Sequence, residues 1–190
     1  MLIKENQLLQ KFKEQNLNYV PLLLYGPNEG LIRENYIKLK NIFNQTNFEE
    51  ICLTGKLITE QPEVLIDEIK TVSMFNDHKI ITIDQPLDKN VEIFEGVFQI
   101  IPNNTLIIVL ANNLKKTSKI RKFFENSKSF LACANYEDDF KSNSQQIQSL
   151  EKNIGKTLSK DIKNYLNQNL SQDRMISNHE VDKIILLYYG

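Results

Sequence analysis

Residues 19–35, read YVPLLLYGPNEGLIREN, decide the fold. Tyr19 to Tyr25 is apolar without alternation, as a central parallel strand reads when both of its faces are covered. Gly26-Pro27-Asn28-Glu29-Gly30 is a turn, and from Leu31 the pattern is helical to about Phe43. Strand, glycine turn and helix in that order open a parallel α/β sheet.

The same alternation extends outward in both directions. Leu2, Leu8, Leu9 and Phe12 stand at helical spacing, so residues 2–15 predict a helix ahead of the first strand. Glu49–Leu53, Lys79–Asp84, Thr105–Leu110 and Phe130–Ala134 predict four further strands. Helices are predicted over 61–75, with Pro62 suited to a first turn, over 91–101, stopped by Pro102, and over 118–126, capped by Thr117 or Ser118. The expectation is an α/β fold: a five-stranded parallel sheet with right-handed crossovers and functional loops at the carboxyl ends of its strands.

After Asp139 no strand pattern recurs. Gln145–Ile154, Ser159–Leu170 and Asn178–Tyr189 predict three helices, with Ser159 and either Ser177 or Asn178 as caps. The polar, acidic stretch YEDDFKSNSQQ reads as a linker. A boundary near Phe140 therefore divides an α/β domain, 1–140, from a small all-α domain, 141–190.

Composition bounds the function. The 190 residues are 41% apolar, enough for one substantial core and unlike a disordered chain. No stretch approaches the roughly 18 apolar residues of a spanning helix, and the N-terminus has no apolar secretory core. Lys plus Arg total 23 against 24 Asp plus Glu, and a net charge of -1 argues against a surface that grips nucleic acid all round. Cys52 and Cys133 lie alone in apolar runs without a CxxC, which disfavours a zinc module or a disulfide framework. A reducing cytoplasm fits.

The turn after the first strand is where a phosphate-binding loop would lie. That chemistry requires G-x-x-x-x-G-K-[ST]: glycines so that backbone N–H groups wrap phosphate, Lys to neutralise it, and a hydroxyl to hold Mg²⁺. The chain reads GPNEGLIREN, one residue short, with Leu31 and Ile32 in place of Lys and the hydroxyl. Gly26 and Gly30 thus form a degenerate nucleotide loop that is not expected to bind. Asp84 ends a strand where a Mg²⁺-holding Asp would stand, but Gln85 follows it, and a capping or turn role is the simpler reading. His78 and His179 are isolated and read as surface residues, so no metal site and no catalytic set is expected.

Two stretches keep two readings each. In IDEIKTVSMFNDHKIITID, residues 66–84, Leu65, Ile69 and Val72 can share an inward helical stripe that ends at Met74 and Phe75. Those two residues either cap the core or, as a thioether beside a ring at an element's tip, suit a greasy pocket on a partner. Lys115, Lys116, Lys119 and Arg121 belong to a basic run that is either a phosphate-contacting edge or a solvated helix face.

Several stretches together resemble one family. LLLYGPNEGLIREN, TVSMFNDHKIITID, TLIIVLANNLKKTSKIRKFFE, CANYEDD and LSQDRMISNHEVDKIILLYYG match, in order and spacing, blocks of the delta subunit of the bacterial DNA polymerase III clamp loader. They are closest to its alphaproteobacterial style. The resemblance implies an AAA+-like first domain, a small helical second domain and a collar domain, of which the last is absent before Gly190. It implies a non-catalytic subunit that binds no nucleotide or other cofactor, with the beta sliding clamp, gamma/tau, delta prime and, indirectly, primed DNA as partners. Carried over by position, the clamp-binding tip is Val72, Ser73, Met74 and Phe75. Alternatives at this stage are a delta-prime-like inactive subunit, which normally brings a cysteine zinc module, and a small P-loop enzyme with an unusual loop.

Overall fold

The computed structural model describes residues 1–14, 20–43, 48–71, 78–138 and 140–189. Its centre is a parallel sheet of strands β1 (Leu2–Ile3), β2 (Leu22–Tyr25), β3 (Phe48–Thr54), β4 (His78–Asp84), β5 (Thr105–Ala111) and β6 (Leu131–Ala134). They lie in the order β1-β6-β2-β5-β4-β3, and every neighbouring pair is parallel. All five strands expected from the sequence are present, but the sheet has six. Leu2 and Ile3 are strand, not helix: they register against Ala132 and Cys133, and the Ala132 amide donates to the Met1 carbonyl at 3.0 Å. Two residues carry no period of their own, and Leu2 happens to sit at helical spacing from Leu9.

Successive strand residues face opposite sides. Leu23, Tyr25, Ile81, Ile83, Ile107, Val109 and Ala132 bury one face under helices α3 (Gly55–Glu60), α4 (Pro62–Lys70), α5 (Asn90–Val97) and α6 (Lys119–Asn126). Leu22, Leu24, Ile80, Leu106, Ile108, Leu131 and Cys133 bury the other under α1 (Glu5–Glu14) and α2 (Glu29–Phe43). This double covering is why β2 and β5 read as unbroken apolar runs. Cys52 and Cys133 lie four strand positions apart, about 19 Å at the usual spacing, so no disulfide joins them.

Local chemistry sets the element ends. Ser118 caps α6, accepting from the Arg121 amide at 3.4 Å. Asp88 reinforces that cap, accepting from the Ser118 hydroxyl at 2.8 Å and the Ile120 amide at 3.1 Å. The helix expected over 61–75 stops at Lys70, because Thr71 turns extended with ψ at 122°. A separate short helix, α3, precedes it, started by the Thr54 hydroxyl accepting from the Leu57 amide at 3.2 Å.

The C-terminal part is helical: α7 (Phe140–Ile154), α8 (Lys160–Asn169) and α9 (Arg174–Tyr189). Ile147, Leu150, Ile154, Leu166, Leu170 and Val181 form its own buried cluster. Ser159 caps α8 as expected, with the Ile162 amide at 3.4 Å. The cap of α9 is Asp173, which accepts from the Met175 and Ile176 amides at 2.8 and 3.1 Å, so Ser177 and Asn178 lie inside the helix. Among the described residues no helix is long and apolar enough to cross a membrane.

Candidate functional site

The glycine turn lies between β2 and α2 at the carboxyl end of the sheet. Gly26 has φ of +147°, and a Cβ there would stand 2.0 Å from the Asn135 carbonyl oxygen, so only glycine fits. Asn28 is fully buried and caps α2 through its Oδ1, which accepts from the Leu31 amide at 3.0 Å. The same oxygen accepts from the Arg174 amide at 3.1 Å, at the start of α9. The Asn28 side-chain amide donates to the carbonyls of Gln172 at 3.1 Å and Tyr136 at 3.4 Å. A Cβ on Gly30 would lie 2.3 Å from the Met175 nitrogen. The start of α9 is thus packed directly on the turn.

Arg174 completes this joint, and no sequence pattern singles it out. It is only 7% exposed, and its guanidinium forms a two-pronged bond to Asp138, Nε to Oδ2 and Nη2 to Oδ1, both 2.6 Å. Nη1 reaches Glu34 of α2 at 3.3 Å, and Gln146 of α7 donates to Asp138 at 3.1 Å. Behind it, Asn135 is fully buried, bonded to Asn35 at 2.7 Å and to the Cys133 carbonyl at 3.0 Å. One polar cluster therefore ties the turn, α2, the segment after β6, α7 and α9 together.

Burial works to raise the Glu34 carboxyl, but a hydrogen bond from Lys38 and the charges of Lys38 and Arg174 hold it below the usual carboxylate range. A carboxylate lowered in the folded state stabilises fully above its unfolded value, near pH 4.3, and loses that contribution as pH falls through the folded value. Glu34→Gln is accordingly expected to be less stable than the native chain at pH 7, by about 0.2–1 kcal/mol. The gap should narrow at pH 3. Urea unfolding at the two pH values is the check.

A cleft of ≈ 560 Å³ opens beside the turn, lined by Arg33, Tyr36, Asp84, Gln85, Asn112 and Met175. Asp84 is exposed there, at the end of β4. Gln85 follows in the left-handed region, with φ of 49°. Among the described residues no three His, Cys, Asp or Glu side chains gather as a metal site.

Val72, Ser73, Met74 and Phe75 lie outside the described residues. Their flanks are described. Leu65 and Ile69 are fully buried and hold α4 on the sheet. Lys79, the second residue of β4, is 3% exposed. Its ammonium donates to the Glu68 carbonyl at 2.9 Å and the Thr71 carbonyl at 2.7 Å, closing the end of α4.

Of the basic run, Lys115, Lys116 and Lys119 are exposed, the first two before α6 and the third in its first turn. Arg121 turns inward. Its Nε bonds Glu125 at 2.9 Å, its Nη1 bonds the Leu114 carbonyl at 3.2 Å, and its guanidinium lies 5.0 Å from the centre of the Tyr25 ring. The Tyr25 hydroxyl donates to Glu125, and burial together with that carboxylate pushes the phenol well above its usual range.

A doubly covered parallel sheet with a strand–glycine turn–helix opening and a helical C-terminal part gives the chain an AAA+-like fold. Solved structures agree with that class. The Bacillus subtilis DNA clamp loader delta protein (YqeN) superposes with a TM-score of 0.63 at 16% identity, over 96% of this chain and 57% of that one. Domain III of the Thermotoga maritima replication initiation protein DnaA gives 0.51 at 16% identity, over 97% and 81%. The Thermotoga maritima RuvB Holliday junction branch migration motor gives 0.57 at 12% identity, over 95% and 60%. The sequence model of the DNA polymerase III delta subunit matches residues 22–134, and the chain belongs to that family. It spans less than two thirds of the length of the clamp loader delta protein that it matches. No curated protein matches it in sequence.

Proposed function

We propose that this chain is the clamp-engaging part of a clamp-loader delta subunit: it binds the beta sliding clamp and helps open it for loading onto primed DNA, without hydrolysing ATP itself. In this reading residues 1–140 are the AAA+-like domain and 141–190 the small helical domain. Gamma/tau and delta prime are its companions in the full-length protein. Membership of the delta family is the observation that carries the reading.

The turn supports the nucleotide part of it. Leu31 and Ile32 replace the phosphate-neutralising and magnesium-holding residues, and Asn28 directs its side chain to α9. The binding element is the segment Val72, Ser73, Met74 and Phe75, between α4 and β4. Opening a ring requires that the subunit favour the open clamp over the closed one, since equal affinity shifts nothing. The apolar pair grips, and neighbouring surface fits only the distorted interface. Lys115, Lys116 and Lys119 offer phosphate contacts to DNA held by the assembly, whereas Arg121 supports Tyr25 and Glu125.

Size-exclusion chromatography of the chain with its cognate sliding clamp is the test. A co-eluting complex that forms equally with and without magnesium-ATP is expected. Separate elution, or ATP binding by the chain in a titration, overturns the proposal.

A further inference from the structure

We propose that the groove between α5 and α6 is a second contact for the sliding clamp, one that takes a large apolar side chain of the clamp with a carboxylate beside it. The inference rests on the reading of Val72–Phe75 as the clamp-binding tip.

The groove is a depression of ≈ 530 Å³. Val91, Phe123 and Phe130 supply its apolar lining, Glu95 stands on the α5 wall, and Lys122 and Asn126 stand on the α6 wall. The lining is firm. The Phe123 and Phe130 rings lie 5.3 Å apart, and the buried Phe98 ring packs against them at 6.1 and 5.6 Å. Phe123 and Phe130 are nevertheless only half-buried, so one side of the ring cluster is left open.

The rim carries unspent charge. Lys122 and Glu95 are exposed, and among the described residues neither forms an ion pair, although Arg121 beside Lys122 is paired with Glu125 at 2.9 Å. The two walls thus set opposite charges across an apolar floor. Such a surface accepts a carboxylate on the α6 side and refuses one on the α5 side, which fixes the orientation of what enters. A phosphate backbone fits it less well, because Glu95 repels it.

Position selects the partner. Helices α4, α5 and α6 lie side by side on one face and run from the carboxyl ends of the strands back to the amino ends. Helix α4 therefore ends at the edge where β4 begins, and α6 at the same edge, where β6 begins. β4 and β6 are three strand positions apart, about 14 Å at the usual spacing. An interface of standard size takes about 800 Å² from each partner, a patch reaching about 16 Å from its centre. A clamp centred on the segment that leaves at Thr71 and returns at His78 thus reaches the mouth of the groove.

Lys122→Glu reverses the rim charge, and Asn126→Trp fills the groove; both positions are exposed, so the fold is retained. Lys160→Glu, the same change of charge at an exposed position of α8, is the control. Binding to the cognate sliding clamp is measured by surface-based kinetics at low and high salt. Lys122→Glu is expected to lose about tenfold in affinity, mostly through slower association, with a smaller loss at high salt. Asn126→Trp is expected to lose affinity at both salt levels, and Lys160→Glu to bind like the native chain. Native affinity in Lys122→Glu or in Asn126→Trp overturns the inference. An equal loss in Lys160→Glu overturns it too, since the effect is then one of net charge. If Lys122→Glu weakens binding of a short oligothymidine and leaves clamp affinity native, the groove serves nucleic acid and the inference falls. If the Met74→Ala, Phe75→Ala variant binds like the native chain, the reading of the tip fails. If it loses binding while the groove variants do not, only the second contact fails.

Discussion

Replacing Met74 and Phe75 together by alanine is expected to abolish measurable clamp binding while leaving the fold intact. Each side chain, buried in a partner's pocket, contributes about 1.5–3 kcal/mol by removal of apolar surface from water. Aromatic anchors at interface centres lose about 2 kcal/mol or more on truncation. The pair together then accounts for roughly 4 kcal/mol, about a thousandfold in dissociation constant. The fold is expected to survive, because Leu65 and Ile69 of α4 and Ile81 and Ile83 of β4 are fully buried in the core without them. Calorimetric titration against the cognate clamp reads the loss, and a melting curve reads the fold. Unchanged affinity in the double variant removes the tip from the mechanism.

Arg174→Met is expected to be the most destabilising single substitution in the polar joint, by about 3–5 kcal/mol. The guanidinium is nearly enclosed, and both of its 2.6 Å bonds go to Asp138, itself 5% exposed. Removing the cation leaves a buried carboxylate to which, among the described residues, the Gln146 side chain still donates at 3.1 Å. Removing both charges is a different matter. Arg174→Met, Asp138→Leu replaces an ion pair by apolar volume, and such exchanges are often neutral. The double variant should therefore lie closer to the native chain than Arg174→Met does. Urea unfolding followed by circular dichroism separates the cases, and a single-variant loss under about 1 kcal/mol would show that the pair carries little stability.

The sheet was legible because β2, β4 and β5 are covered on both faces and their apolar runs have no other explanation. The damaged loop was legible by counting residues between Gly26 and Gly30 and noting Leu31 and Ile32 after them. What occupies that loop was not, because the Arg174 amide that reaches Asn28 comes from 146 residues away. Asp138 lay hidden in an acidic stretch that reads as linker, since composition cannot tell a solvated carboxylate from one paired across 36 residues. Lys79 read as the polar first position of a strand. A lysine stem is long enough to run back beneath the preceding helix, and no period reveals where its ammonium ends. The role of Val72–Phe75 came from resemblance alone, because an apolar pair at an element's end is equally a core plug. Arg121, counted among candidate DNA contacts, illustrates the converse: its neighbours Lys119 and Lys122 face solvent while its own head packs on Tyr25.

The outermost strands of the sheet have a consequence for how the protein behaves at high concentration. An uncovered row of amide and carbonyl groups invites another chain to add itself, and both margins here are poor templates for that. On one side β1 is only two residues long. On the other, β3 carries Glu49 and Glu50 in succession, and a recruited copy would set the same carboxylates against them. Neither margin of the sheet therefore offers a second copy a long, uncharged strand to pair with, and self-association by strand addition is disfavoured.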